Sequence, residues 1–464
     1  MNLRIKNVPW MAAVPIVAAG AAALLMPGMG PVPALVALTV ALLASGLWPE
    51  YVTALIFFTL CMLLHAGTAV EVFSGFSSAA FWLILAGMFL GQAVTRTNLG
   101  ERIAGYFVRW IPEGRAAELG GAAALGLFMA FLMPSAMGRV LLMLPIFQGF
   151  ARRLGHVAGT RAFTGIVLTG TLSTFLPAMS ILPANIPNMV LAGAAEAMHL
   201  PMPNYGHYLA LHFPVLGLLQ AVLIAVVVGL MYRSSGTRDI AARLPRAALA
   251  SGETRRAWSK EEIRVALVLG LCLVMWCTDA WHGISPAWVG MVGAIVCLLP
   301  GIGVLDPQKS IRELNLGSLF YVAAIISIGA IVHASGMGAK IADALLTVLP
   351  LSHGASFGNF SLLGLLSTIM GPICTTPGIP AVLTPLAQHL AEASGMSVSA
   401  VLMTQVLGFS TVIFPFQTAP LLVGLRMMDL PLRESSRVVL LIALFTVLLL
   451  WPLEYVVWKL MGFI

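Results

Sequence analysis

The chain is a series of apolar runs separated by short polar breaks. Uninterrupted runs fall at about 8–27, 32–48, 50–66, 79–96, 208–231, 264–281, 286–304, 317–336 and 438–461. Most approach the roughly 20 apolar residues that a membrane helix needs. Four more apolar stretches, 119–150, 162–198, 357–394 and 398–424, are interrupted by Gly and Pro. Backbone outside a helix cannot face lipid, because its N–H and C=O groups would lack partners. It is tolerated where it lines a cavity or is buried in protein. The stretches 119–150 and 357–394 are therefore expected to be re-entrant hairpins. Those at 162–198 and 398–424 are expected to be helices broken at Pro177–Pro187 and Pro415–Pro420. Arg4 and Lys6 before the run from Val8 to Met26 resemble a signal peptide. A second span follows after only a Pro-Gly turn, so this run reads as a retained first helix.

Loop charge tests this map. With the N-terminus cytoplasmic, the inner loops hold Arg96, Arg102, Arg109, Arg115, Arg152, Arg153 and Arg161. They also hold the basic cluster from Arg233 to Arg264, then Lys309, Arg312, Arg426, Arg433 and Arg437. The outer loops 67–76, 199–207 and 282–285 hold no Lys or Arg, and the loop after 336 holds only Lys340. A single crossing in place of either hairpin would invert everything downstream and lose this bias. The pattern predicts eleven crossings and two hairpins in the inner (plasma) membrane, N-terminus cytoplasmic and C-terminus outside.

The polar stretch 232–263 divides two similar halves. Thr-Asn-Leu-Gly-Glu-Arg-Ile-Ala closes 81–104, and Ser-Gly-Met-Gly-Ala-Lys-Ile-Ala closes 319–342, an offset of 238. A hairpin with a Pro, Pro145 or Pro385, and then a proline-broken helix follow in each half. The halves begin on opposite sides, which predicts inverted repeats, a usual construction of secondary transporters.

Composition agrees. Of 464 residues, 59% are hydrophobic and only 9% charged, against about 25% charged in a soluble domain. The net charge of +7 follows the positive-inside rule rather than forming a nucleic-acid patch. Repeated long apolar runs, without alternating ten-residue segments, argue against an outer-membrane barrel. Cys61, Cys272, Cys277, Cys297 and Cys374 lie in apolar stretches without metal spacing and read as small buried hydrophobes.

The four breaks carry the candidate chemistry. Hairpin one has its tip at Met133-Pro134-Ser135-Ala136-Met137-Gly138-Arg139, and hairpin two at Cys374-Thr375-Thr376-Pro377-Gly378-Ile379-Pro380. The broken helices carry Ser173, Thr174, Asn185 and Asn188, and Ser410, Thr411, Gln417 and Thr418. Half-helix N-termini at such breaks aim N–H groups inward, which suits an anion. At one break alone, a simple proline kink with hydroxyls bonded to the preceding turn explains as much. Four symmetric breaks favour a site.

Leu144-Pro145-Ile146 closes hairpin one and Thr384-Pro385-Leu386 closes hairpin two. Ile186-Pro187-Asn188 and Thr418-Ala419-Pro420 mark the broken helices. On these motifs nearly the whole chain resembles the divalent anion/sodium symporter family, part of the ion-transporter group that includes arsenite permeases. In that family Ser-Asn-Thr precedes Leu-Pro-Ile at each hairpin tip. Here the motif positions hold Ser135-Ala136-Met137 and Thr375-Thr376-Pro377, so both asparagines are replaced, by Ala136 and Thr376. The family's motifs help build two sodium sites and hold the substrate carboxylates. The departure therefore predicts weak dependence on sodium, with Ser135 and Thr375 as weak sodium candidates. The resemblance implies a homodimer in which a transport domain moves like an elevator against a scaffold. Residues 1–118 and 264–356 would be scaffold, 119–231 and 357–464 the transport parts, and 232–263 a cytoplasmic linker.

Arg139 stands where the family has a small or hydroxyl residue. An Arg at the bilayer centre costs about 2.5–3.5 kcal/mol on insertion scales. It could fork onto an anionic substrate, stand as a fixed cation in place of sodium, or snorkel to the cytoplasmic face. His333 could couple protons, though a lone helical His is more often bonded to a neighbour. Asp279 lies near the end of its span. Glu71, Glu101 and Glu196 read as interfacial, and His199, His207 and His212 as lying at the outer surface.

The sequence thus predicts an all-α membrane protein of two inverted repeats. It reads as a secondary transporter of small anions, a di- or tricarboxylate or similar oxyanion, working with membrane lipid around it. The candidate substrate residues are Ser135, Arg139, Asn185, Asn188, Thr375, Thr376, Gln417 and Thr418. No cofactor and no nucleic acid is expected, and sodium or a proton is the candidate coupling ion. An arsenite-type or cation/proton exchanger of the same superfamily is the second transporter reading. A transport-dead scaffold or sensor is the reading from another class. An intramembrane enzyme would want a nucleophile paired with a base, or an H-E-x-x-H run, and neither occurs.

Overall fold

The computed structural model describes residues 9–45, 47–112, 114–233, 257–354 and 356–464. Residues 234–256, most of the linker, lie outside these ranges, as do Arg4 and Lys6. Among the described residues the secondary structure is helical throughout. The first half runs α1 (Pro9–Leu25), α2 (Val32–Ser45), α3 (Glu50–Leu63), two single turns α4 (Ala69–Val72) and α5 (Ser74–Ser77), and α6 (Ala79–Arg96). It continues with α7 (Leu99–Trp110), α8 (Arg115–Leu132), α9 (Ala136–Arg153), α10 (Arg161–Phe175), α11 (Ile186–Ala197), α12 (Tyr205–His212) and α13 (Gln220–Met231). The second half runs α14 (Lys260–Cys277), α15 (Asp279–His282), α16 (Pro286–Leu298), α17 (Pro307–Glu313), α18 (Leu316–Ala334) and α19 (Met337–Leu346). Then come α20 (Phe357–Leu383), α21 (Ala387–Ser394), α22 (Val398–Ser410), α23 (Ala419–Met427), α24 (Leu432–Phe445) and α25 (Trp451–Leu460). Seven helical stretches are long and apolar enough to cross a membrane, and shorter apolar helices accompany them.

The two halves share landmarks as well as order. Asn98 before α7 and Gly336 before α19, 238 residues apart, both adopt left-handed backbone. Pro177 and Pro415, again 238 apart, each open a short 3-10 turn after the first arm of a broken helix. Gly170 and Gly408 lie at the same offset at tight packing points. A Cβ on Gly170 would stand 2.4 Å from the Phe147 ring, and one on Gly408 2.0 Å from Ser367 Oγ. Only glycine fits at such approaches, which seat each broken helix against its hairpin.

The sequence reading of 97–118 as loop is incomplete, because Leu99–Trp110 folds as α7. Its apolar positions recur at helical spacing within a run too charged to cross a membrane. Arg102 fastens α7 to α14 through a 2.9 Å bond to Glu262, with its guanidinium over the Trp258 ring. Hairpin one begins earlier and ends later than 119–150, at Arg115 and Arg153. Cys277 is exposed rather than buried; the other four cysteines are buried.

Candidate functional site

Each break has a local cause. The residue before Pro134, Met133, is forced into extended backbone and ends α8. Ser135 then caps α9, accepting from Gly138 N at 3.2 Å. Its hydroxyl is thereby engaged as a helix cap. In hairpin two the interruption is Thr375, whose φ of 63° and ψ of 167° break α20. This backbone region is costly for a β-branched residue, on the order of 1–3 kcal/mol. In the broken helices, Asn185 and Thr418 adopt the same extended backbone, φ −144° and −146°, and each precedes a helix with Pro in its first turn. They hold equivalent places in the two halves.

Arg139 organises the first group. Its side chain is fully buried. Nε donates to Thr174 O at 3.0 Å, Nη1 to Ala184 O at 3.1 Å and to Met133 O, and Nη2 to Asn185 Oδ1 at 3.2 Å. One guanidinium therefore ties the hairpin tip to both sides of the first break. The snorkelling alternative is excluded, since the group turns into the protein. Its fork is occupied by four protein oxygens, so direct capture of substrate is not the arrangement seen. Oxygen ligands of this kind are also what a small hard cation takes, in larger number.

Asn188 lies next to this group. Its Nδ2 donates to Met179 O at 3.1 Å and Ile181 O at 2.8 Å, while its buried Oδ1 has no hydrogen-bond partner. The second group is built around Gln417. Its Oε1 accepts from Ile413 N at 2.7 Å and Phe414 N at 2.6 Å, and its buried Nε2 is unpartnered. Thr376 Oγ1 donates weakly to Gln417 O at 3.4 Å. Thr418 is buried beside them. Ser173 and Ser410, at the ends of the first arms, also bury unpartnered hydroxyls. An unpaired buried polar atom costs about 1–3 kcal/mol, so this concentration at the breaks calls for an explanation.

Ser135, Arg139, Asn185 and Asn188 thus gather around break one, and Thr375, Thr376, Gln417 and Thr418 around break two. No hydrogen bond between these two groups is seen among the described residues. A hollow of about 210 Å³ lined by Val268, Cys297 and Val304 lies elsewhere, between α14 and α16. Asp279 is a cap, accepting from Tyr205 N at 2.6 Å and Gly206 N at 3.2 Å, and His333 is exposed.

One expectation is overturned. His199 and His207 are exposed, but His212 is fully buried and its Nδ1 stands 2.6 Å from Glu454 Oε1. The sequence reading missed Glu454 altogether. The signal was present: a carboxylate inside the last apolar run is rare and needs a partner.

Comparison with known proteins follows the fold. A membrane protein of Cupriavidus necator is 26% identical over 357 residues, covering 74% of this chain and 66% of that protein. The chloroplast dicarboxylate transporter 2 of Spinacia oleracea is 23% identical, covering 62% of this chain and 52% of its own length. The chain thus spans two thirds or less of these relatives. Among solved structures, the MtrF antimetabolite efflux pump of Neisseria gonorrhoeae superposes with a TM-score of 0.56 at 12% identity, over 90% of this chain and 97% of its own. The YdaH transporter of Alcanivorax borkumensis does so with a TM-score of 0.50 at 15% identity, over 85% and 88%. These likenesses show the fold. The model of the citrate transporter family matches residues 40–409, most of the chain including both hairpins. The motif resemblance to anion transporters thus leads to a definite group, and the chain belongs to the citrate transporter family.

Proposed function

We propose that the protein is a secondary transporter of small di- or tricarboxylates in the plasma membrane. Arg139 serves as a built-in cation where the resemblance to the anion/sodium symporters implies a bound sodium. The single observation that carries this reading is the buried guanidinium joining Met133 O, Thr174 O, Ala184 O and Asn185 Oδ1. A positive charge fixed at the break offsets the negative charge of a carboxylate brought to it. The unpartnered Gln417 Nε2 and the half-helix starts at Ile186 and Ala419 then supply donors. Family membership and the chloroplast dicarboxylate transporters among the relatives support the cargo class.

The mechanism we infer is elevator-type alternating access. The hairpins, the broken helices and the helices that follow them, 119–231 and 357–464, move as one body against a scaffold of 1–118 and 264–356, within a homodimer. The two halves are read as inverted repeats, with the N-terminus inside and the C-terminus outside. The test is a thermal-shift screen of purified protein against carboxylates and oxyanions. A ligand at 100 times its Kd stabilises by about 2.7 kcal/mol. Citrate or a dicarboxylate is expected to raise the melting temperature, in choline as in sodium buffer. Stabilisation by arsenite alone would replace this reading with the exchanger alternative.

A further inference from the structure

Among the described residues, the His212–Glu454 pair, which the anion site does not use, has both side chains fully buried. His212 ends α12 and Glu454 lies in α25, so the pair joins the last long helix of each half. His212 Nδ1 and Glu454 Oε1 are 2.6 Å apart with both side chains fully buried. Trp458 Nε1 donates to the same Oε1 at 3.2 Å, while Glu454 Oε2 has no partner. His212 Nε2 faces Met403 Sδ at 3.5 Å. A fully ionised carboxylate with a bare oxygen in this setting is costly, and a proton on the pair relieves that cost.

Two features separate this pair from ordinary packing. First, the helices carrying it are both wound as π-helix beside it, at Phe213–Leu219 and Thr446–Leu450. Such segments are rare and concentrate at functional sites. Second, the pair is connected to the break. The His212 ring packs edge-on against Tyr208, with centroids 4.7 Å apart. Tyr208 Oη donates to Met179 O at 2.8 Å, the same carbonyl that receives Asn188 Nδ2.

We propose that His212 and Glu454 form a proton-binding site that is linked to the anion site through Tyr208, the Met179 carbonyl and Asn188. One proton enters from bulk water, is held on the pair, and returns to bulk water. Its presence favours one setting of the Pro177–Asn188 segment. This rests on the transporter reading, since the linkage needs an anion at the break. The groups facing the pair are few. On α12 Tyr208 faces it; on α25 Trp458 does, while Lys459 lies over the Tyr455 ring. From α20 comes Phe360, from α22 Met403, and the two π segments carry no ionisable residue. Asp279 is engaged with Tyr205 N and Gly206 N.

The test uses the full chain in lipid nanodiscs. Infrared titration of the wild type between about pH 5 and 9 should show the C=O stretch of a buried protonated carboxyl that fades at the alkaline end. Glu454→Gln, which keeps an acceptor for Trp458, should abolish it. A wild type without that band, or a band that survives E454Q, overturns the proton site whether or not any carboxylate binds. Citrate binding is then followed against pH. The wild-type affinity should change by up to about tenfold per pH unit, the slope for one linked proton. Y208F leaves the pair intact and should keep the band while flattening that slope; E454Q should flatten the slope too, without the band. An unchanged slope in Y208F overturns the linkage. Absence of citrate and dicarboxylate binding in wild type would instead refute the transporter reading, with the infrared result still deciding the pair.

Discussion

Removing the Arg139 guanidinium should be among the most damaging changes available to this protein. Arg139→Ala strips a donor from Met133 O, Thr174 O, Ala184 O and Asn185 Oδ1, all in a fully buried setting. Hydrogen bonds to a charged group are worth about 1.5–3 kcal/mol each. The four are made by one group and are not additive. Breaking a comparable buried charged arrangement costs about 3–5 kcal/mol, and that is the expected loss. Arg139→Lys keeps the charge but has three donors on a single nitrogen, without the planar fork that spans four acceptors. It should fall between the two. The fixed-cation account adds a specific result. In Arg139→Ala the four oxygens are left facing one another, so sodium should bind there and restore stability in a concentration-dependent way. Rescue at 100 times the Kd would return about 2.7 kcal/mol. The assay is thermal unfolding of the purified variants in choline and in sodium buffer. Unchanged stability in Arg139→Ala would refute the structural reasoning. Destabilisation with no sodium response would refute the cation-replacement reading while leaving the packing intact.

Three further outcomes are expected. Thr375→Gly removes a side chain from backbone that glycine adopts freely, so it should stabilise the fold by up to about 1 kcal/mol; a lower melting temperature would show that the Thr375 side chain holds the tip. Gly75→Ala places a Cβ 2.0 Å from Ala323 O, where α5 meets α18, and overpacking of this kind costs about 1–3 kcal/mol; wild-type stability would mean the two elements part easily. Single cysteines replacing Arg115 and Arg152, at the two ends of hairpin one, should label from the same side of the membrane; labelling from opposite sides would remove the re-entrant hairpin and the inverted repeat with it.

Much of the architecture was legible because it is written in hydropathy and proline. The apolar runs, the four breaks and the offset of 238 all have direct counterparts in the helices and turns. The structure adds left-handed Asn98 and Gly336 at that same offset, although their side chains differ. Backbone conformation is conserved there while residue identity is not. Helix α7 escaped notice because Glu101, Arg102 and Arg109 in its sequence lower its mean hydropathy below that of a span.

The site was legible in its parts. Residue type and position marked Arg139, Asn185 and Gln417, yet nothing in the sequence fixed the depth of hairpin one, so three fates for Arg139 stood open. Depth is a tertiary property, set by the approach of α8 to α10 at Gly126, where a Cβ would stand 2.7 Å from Gly170 O. The His212–Glu454 pair was missed for a related reason, although Glu454 itself stands out in the last apolar run. Its partners lie 242 residues apart, and the cluster His199, His207 and His212 suggested a surface patch that the fold divides.

The most direct test of the account is uptake of labelled citrate and dicarboxylates into proteoliposomes of the wild-type protein, with sodium or choline as the only added monovalent cation. A transporter whose cation is Arg139 accumulates the carboxylate about equally in both. Strict dependence on sodium would contradict the role given to Arg139, and absence of uptake for every carboxylate in both buffers would contradict the function itself.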